Sequence, residues 1–378
     1  MKICILCFDL SNNSLGRAGL LAMALTPQHE VEIIGPSRSG EIWFPMKEMG
    51  FPIRLYNWKR YPFFFSTIRK MIKDIDADIL IACKLRPTSF GIALIKKWTS
   101  KIPVLVDIDD WELGFLYHSG FWGKVGRFLN FSNPNGLPYT WLMERFTGFA
   151  DSIIVSNRFL QNKFSGSLIP HCRDTSMLDP NKLDSENIKI KLGLKDKRVV
   201  MFLGTPRAHK GIQELFMAIE KINDPVVKLV LIGTDSSVQS HIDNMKSNQD
   251  KVMVFPKIPF KELPEHLAAA DILVIPQRQT TDTEGQIPAK LFDAMAMAKP
   301  IITTPISDIP EVLGGHGYFI EPGNPDQLAK TIEYIFANQE EALLKGQNAR
   351  KRCQEFYDIK VMQKELALQI KNLTTTHP

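Results

Sequence analysis

Long apolar runs are missing from this chain of 378 residues. None reaches the roughly 18 consecutive positions that a membrane-crossing helix needs. The opening MKICILCFDL meets Asp9 after one short apolar run, where a secretory signal would continue. The expectation is a buried first strand in a cytoplasmic protein, peripheral at most on the inner face of a membrane. Cysteine is scarce and scattered, at positions 4, 7, 83, 172 and 353. Cys4 and Cys7 have CxxC spacing, but residues three apart on a strand point to opposite faces. No second Cys/His pair completes a zinc set, so buried reduced thiols are expected. Low-complexity segments and long internal repeats are lacking as well. So are the phosphate loop GxxxxGK[ST] and the fingerprint GxGxxG, which argues against a P-loop enzyme and against a dinucleotide redox cofactor.

What is present is an ordinary globular composition, 44% hydrophobic and 23% charged. The length exceeds one usual core, so two domains are expected. A net charge of +5 suits an anionic small molecule, an anionic membrane surface or nucleic acid without choosing among them. Short apolar runs alternate with helical patterns, which predicts parallel sheets buried on both faces. Strands are expected at Lys2–Phe8, Glu30–Ile34, Ile79–Ala82, Val104–Ile108 and Ser152–Val155. A second series follows at Val199–Phe202, Lys228–Ile232, Val252–Phe255, Ile272–Ile275, Pro300–Thr303 and Tyr318–Ile320. The polar stretch 170–187 separates the two series, and its His171 and Arg173 are expected to be hinge or hydrogen-bonding residues. The predicted architecture is α/β. Two Rossmann-like doubly wound domains, 1–175 and 176–354, face each other across a cleft, and a last helix over 355–378 returns to the first domain. Ligands of open α/β sheets bind at the carboxyl ends of the strands.

Two segments of the second half carry the chemistry. Gly204-Thr-Pro-Arg207-Ala-His-Lys210-Gly211 follows a strand and precedes a helix. That context sets Arg207 and Lys210 beside free backbone amides at a helix start, a diphosphate-binding arrangement. Glu284-Gly-Gln-Ile-Pro288-Ala289-Lys290-Leu-Phe-Asp293 also opens a helix. Its amides at Ala289 and Lys290 form a second anion site, and Asp293 one turn on can accept from sugar or ribose hydroxyls.

From Val199 to Phe336 the order FLGTPRAHKGI, LVLIGTD, VFPKIPFKELPEHLAAADILVIPQ, IPAKLFDAMAMAKPIITTPISDIPEVL, GGHGYFIEPGNPDQLAKTIEYIF resembles the retaining GT-B glycosyltransferases of the group often called family 4. The first half resembles them through Ser14-Leu-Gly16-Arg-Ala-Gly19, read as a glycine-containing loop, and through VDIDDWELG. The resemblance implies a hexosyltransferase-type enzyme that moves a sugar from a nucleoside-diphosphate donor to an acceptor hydroxyl, with retention and with no metal or other cofactor. Arg207 and Lys210 take the place of the cations that neutralise the donor diphosphate. Ile258, with Lys257, matches the backbone that meets the nucleobase. Gly16 matches the loop that closes over the substrates, and Asp293 the second acid of the E-x7-E motif, the ribose contact. Gly204, Pro288, Ala289 and Lys290 complete the implied donor site. The first acid of that motif falls at Gly285, beside Glu284, and the usual histidine of the first domain is replaced by a segment holding Lys84 and Arg86. An epimerase or hydrolase acting on nucleotide sugars, or a GT-B-like binding protein without turnover, stays open.

Asp107-Ile-Asp109-Asp110-Trp111-Glu112 has three readings: a polar role facing the cleft on the acceptor side, structural capping, or a divalent-metal site. With Lys84 and Arg86, Asp109 and Asp110 are the acceptor-side candidates. The stretch Arg54–Lys73 has six basic residues, six aromatics and no acid. It reads as a helix start with solvated cations, or as contact with an anionic membrane surface or a lipid-linked acceptor. Phe121, Trp122, Lys124 and Arg127 extend the same pattern. The expected partners are the nucleotide-sugar donor and a glycan, lipid-linked or small-molecule acceptor. Nucleic acid is not expected, since no RRM, KH or helix-turn-helix pattern occurs.

Overall fold

Alternating side chains of one strand serve two different cores, which is what a sheet covered on both faces requires. Val199, Met201 and Leu203 enter one apolar cluster while Val200 and Phe202 enter another. Leu273 and Ile275 divide from Ile272 and Val274 in the same way. This double burial is why the strands appear in the sequence as unbroken apolar runs.

The computed structural model describes residues 1–116, 121–234, 238–245 and 249–376. The chain divides into two compact units, Met1–His171 with Lys360–Pro378, and Cys172–Ile359. The chain therefore crosses between units at 171/172 and 359/360, where the sequence pattern suggested 175/176 and 354/355.

The first unit holds seven strands: β1 Lys2–Cys7, β2 Glu30–Ser37, β3 Ile53–Asn57, β4 Ile79–Cys83, β5 Val104–Ile108, β6 Ser152–Val155 and β7 Ser167–Leu168. Their order is β3-β2-β1-β4-β5-β6-β7, and every neighbouring pair is parallel. The second unit holds β8 Arg198–Leu203, β9 Val227–Ile232, β10 Val252–Phe255, β11 Ile272–Ile275, β12 Ile301–Thr303 and β13 Tyr318–Phe319. These run β10-β9-β8-β11-β12-β13, again all parallel. β3 and β7 were not expected. Both are edge strands that are only partly buried, so neither shows a continuous apolar run.

The strand order reverses between β1 and β4 in the first sheet, and between β8 and β11 in the second. At such switch points the loops leaving the carboxyl ends part to opposite faces and leave a crevice. Gly204–Gly211 leaves β8, and the segment carrying Glu284–Lys290 leaves β11. The two are stitched together. Arg278 N donates to His209 O at 2.8 Å, and Gly211 lies so close that a β-carbon there would come within 1.8 Å of Pro276 O. Gly211 also has φ +68°, a left-handed conformation that only glycine adopts without cost.

Gly211→Ala should therefore destabilise the second unit by about 2 kcal/mol or more, from left-handed backbone and steric conflict together. Urea unfolding followed by circular dichroism measures this, since all six tryptophans lie in the first unit. An unchanged midpoint would mean that the turn can leave Pro276 freely.

Candidate functional site

The ammonium groups of Lys210, on the turn after β8, and Lys290, on the helix Ala289–Ala296, act on each other, and Arg207 opens the same turn. Arg207 stands exposed on extended backbone at the start of the short turn Ala208–Lys210. Lys210 bends back so that its Nζ donates to Thr205 O at 3.0 Å. Gly204, at φ +95°, puts only hydrogen toward that ammonium, which lies 4.0 Å from where its β-carbon would be. Lys290 comes from the helix Ala289–Ala296 and reaches under the turn, donating to Leu203 O at 3.0 Å. Its ammonium sits 3.8 Å from the centre of the Phe202 ring. Burial lowers the Lys290 pKa well below its ordinary value, and the Lys210 charge lowers it further, against a weaker pull from Asp293. No described carboxylate forms an ion pair with Lys290. A desolvated cation beside a second cation is an arrangement that an anion would relieve.

The same edge carries desolvated polar atoms without partners. Thr234 follows β9, Gln277 follows β11, and Thr304 and Ser307 follow β12. The hydroxyls of Thr234, Thr304 and Ser307 and the amide oxygen of Gln277 are buried without a hydrogen bond among the described residues. Glu214, in the helix Ile212–Lys221, has one carboxylate oxygen in the same condition, while Arg278 holds the other. Buried polar atoms are nearly always paired, and five of the seven exceptions among the described residues lie at or beside this sheet edge.

Helix Ala289–Ala296 opens at Pro288, and no side chain caps its first amides. Glu284 ends the short helix Thr281–Glu284 and is half-buried. Ile258 packs on the apolar core beyond β10, whereas Lys257 is exposed. Asp293 faces inward, away from solvent. Arg173 holds both of its carboxylate oxygens, with Nη2 3.2 Å from Oδ2, and also donates to Ala289 O at 3.0 Å. Arg173 in turn bridges the two chain crossings, since its N donates to Tyr357 O and its O accepts from Ile359 N, each at 2.9 Å. The arginine was legible only as a linker residue; its partner lies 120 positions away.

In the first unit Lys84, Arg86, Asp109, Asp110 and Glu112 come together at the carboxyl ends of β4 and β5. The Lys84 ammonium is 3.0 Å from Asp109 Oδ1 and 2.9 Å from Glu112 Oε1, and it also pairs with Asp110. Arg86 Nε donates to Glu112 Oε2 at 2.7 Å, and its Nη1 reaches Asn135 O and Thr140 Oγ1. Lys84 is held at φ +70°, an uncommon conformation for a side-chain-bearing residue. Burial would lower the Lys84 pKa, but the three carboxylates raise it well above its ordinary value. Burial alone would raise the Glu112 carboxyl, yet Arg86 and Lys84 bring it down to about 2. Asp107 serves a different cation. Arg17 Nη2 meets its Oδ1 at 2.8 Å and also donates to Ile169 O at 2.8 Å. The acids of the DxD pattern thus face cations that the protein itself supplies.

The expected loop at Ser14–Gly19 is instead the start of a helix, Ser14–Leu25. Leu15, Ala18, Leu21, Ala22 and Leu25 form its buried apolar stripe. Gly16 lies in the first turn, and a β-carbon there would meet only ordinary contact with Trp43, at 3.5 Å. The functional group that this segment does turn inward is Arg17, which the sequence pattern did not single out. The side chains of Phe121, Trp122 and Lys124 lie outside the described residues, whereas Arg127 is exposed.

Glu112→Gln should destabilise the first unit by about 3–5 kcal/mol at neutral pH, the cost of breaking a buried ionic network. The sign of the pH dependence follows from the depressed pKa. Glu112's contribution is fully present above its unfolded value of about 4.5 and is lost as pH falls toward about 2. Tryptophan-detected urea titrations at pH 7, 4 and 3 should show the gap between wild type and variant closing. A gap independent of pH would deny the ionic origin.

Residues 197–338 match the family described as Glycosyl transferases group 1. The glycosyltransferase named for teichuronic acid biosynthesis, TuaC of Bacillus subtilis, is 28% identical over 277 residues, 71% of this chain. The chain spans 64% of that relative's own length. Among solved structures, Anabaena Alr3699/HepE in complex with UDP-glucose superposes with a TM-score of 0.76 at 15% identity, over 98% of this chain and 100% of that one. Sucrose-phosphate synthase from Thermosynechococcus elongatus gives 0.72 at 16% identity, over 100% of both chains. Both units thus have the parallel-sheet Rossmann-like architecture of these GT-B structures, and the match to the group 1 glycosyltransferases falls on the second unit and its cation-rich edge.

Proposed function

We propose that the protein transfers a sugar from a nucleoside-diphosphate donor to an acceptor hydroxyl, with retention of configuration and without a metal. The reading rests above all on Lys290, a desolvated ammonium next to Lys210 on the turn that leaves β8. A donor diphosphate on this edge would meet Arg207, Lys210, Lys290 and the amides at Ala289 and Lys290. As the bond from the anomeric carbon to the diphosphate lengthens, negative charge grows on the leaving oxygen. Fixed cations and helix amides stabilise that charge without reorganising. Gly204 lets the phosphates approach the backbone, and the segment Lys257–Ile258 meets the nucleobase. Glu284 and Pro288 lie toward the sugar. Asp293 contributes through Arg173, with which it sets the start of the donor helix. On the acceptor side we assign Lys84, Arg86, Asp109 and Asp110, with Asp110, the least buried of the carboxylates, nearest the incoming hydroxyl. The acceptor class is a glycan, a lipid-linked sugar or a small molecule, and the segment 54–73 docks the protein on an anionic membrane surface.

Lys210→Ala should cost on the order of 2–4 kcal/mol in transition-state stabilisation, measured as acceptor-dependent release of nucleoside diphosphate from a donor panel. Near-wild-type turnover would sink the assignment. Release without any acceptor would favour a hydrolase, and donor binding without release a protein that binds but does not turn over.

A second test uses the sign of the Lys290 shift. An anion bound beside this ammonium raises its lowered pKa, so nucleoside-diphosphate binding should take up protons and weaken as pH rises through the lowered value. Calorimetry in two buffers of different ionisation enthalpy reads the uptake, and Lys290→Met should abolish it. Equal heats in both buffers would remove Lys290 from the donor site.

A further inference from the structure

Exposed aromatic side chains are not spread evenly over the protein. Among the described residues, eight of the ten belong to the first unit. Two stretches of that unit also contain no acid at all, 54–73 and 113–143. They lie far apart in sequence, and the fold joins them. Tyr61 N donates to Ser132 O at 2.8 Å. The Tyr61 ring packs on Phe65 with centroids 4.8 Å apart and on Tyr139 at 5.3 Å. Tyr139 meets Phe131 at 6.5 Å, and Phe131 meets Phe128 at 6.4 Å. A continuous aromatic ribbon therefore runs from the start of helix Phe64–Asp74 across to the end of helix Phe121–Phe128.

Two members of the ribbon are open to solvent, Phe65 at 62% and Phe131 at 51%, and Phe63 at the same helix start is 72% exposed. Lys59, Arg60, Arg69 and Lys70 are exposed around it, and none forms an ion pair with a carboxylate among the described residues. Two of the four cations are lysines, a residue depleted from the buried centre of protein–protein interfaces. The exposed rings and cations match the boundary of an anionic bilayer, where rings sit at headgroup depth and cations meet lipid phosphates.

We infer that this composite ribbon, built from both acid-free segments and not from 54–73 alone, is the surface by which the protein docks on a bilayer of anionic phospholipid. The inference deepens the membrane reading of 54–73 proposed above and is independent of the donor chemistry. Three side chains wedge into the interface, and four cations hold the negatively charged headgroups around them.

The test is co-sedimentation of the full chain with vesicles of phosphatidylcholine alone or mixed with phosphatidylglycerol, at low and high salt. The wild type should pellet with the mixed vesicles only and be released by salt. Lys59→Gln with Arg60→Gln should weaken binding about thirtyfold. Phe63→Ser with Phe65→Ser should abolish it, and Phe128→Ser with Phe131→Ser should weaken it as well. Each variant should keep the wild-type thermal midpoint and nucleoside-diphosphate binding, because the altered positions are exposed and lie in the first unit. Failure of the wild type to pellet overturns the inference. So does binding that the Phe128/Phe131 variant leaves intact, since docking would then need 54–73 only. Lipid-independent self-association that the aromatic variants abolish, with no vesicle binding, would assign the face to a second copy and also overturn it. A protein that docks but releases no nucleoside diphosphate would sink glycosyl transfer alone, and the converse result would sink docking alone.

Discussion

A parallel sheet buried on both faces can present chemistry only at its ends, and both units of this protein obey that constraint. Their strand interiors are apolar because each alternate side chain feeds a different core. Charge is therefore driven to the loops at the carboxyl edge, and most strongly to the strands that flank the reversal of strand order. In the second unit these loops carry cations; in the first they carry a balanced network of acids and bases. The difference is chemical as well as topological. Lys290 is buried beside the Lys210 charge, whereas Lys84 and Arg86 are balanced by Asp109, Asp110 and Glu112.

Two buried ion pairs hold these edges in shape from behind. Arg17 with Asp107 ties helix Ser14–Leu25 to β5 and to the carbonyls of Ile169 and Pro170. Arg173 with Asp293 ties the linker to the helix whose first turn forms the proposed donor site. Neither pair is evidence of great stability, because desolvation offsets much of the attraction. Their importance is directional. A guanidinium with several fixed acceptors leaves its helix little freedom to rotate, and a helix start that binds an anion has to be aimed. Gly211 acts to the same end through sterics, since its missing side chain lets the turn after β8 rest against Pro276.

Much of this was visible in the order of residues. The central strands of both sheets could be placed to within a residue, save β2, which runs three residues past its expected end, because double burial leaves a signature of unbroken apolar runs. All six strands of the second sheet were placed, including β10, an apolar edge strand that is only partly buried, and the two-residue β13, which turn signals flank. The Gly204–Gly211 turn could be placed between a strand and a helix because that context is local. The edge strands β3 and β7 escaped notice because half-exposed strands carry mixed side chains. The segment after β1 looked like a loop because its glycines suggested one, but an apolar stripe at helical spacing outweighed them.

The sequence by itself determined the fold class, the two-unit organisation and the cationic turn, because each depends on residues close together in the chain. Tertiary structure alone decided which charges are spoken for. Asp293 is met by Arg173 from 120 residues away and Asp107 by Arg17 from 90, and Lys84 finds its carboxylates some 25 positions on. It also decided that two acid-free stretches, each ambiguous alone, form one aromatic surface through Tyr61 and Tyr139. The physical reason is common to all of these. Periodicity reports the burial of a residue's own surroundings, whereas an ion pair or a ring contact depends on a partner that only the folded backbone brings within reach.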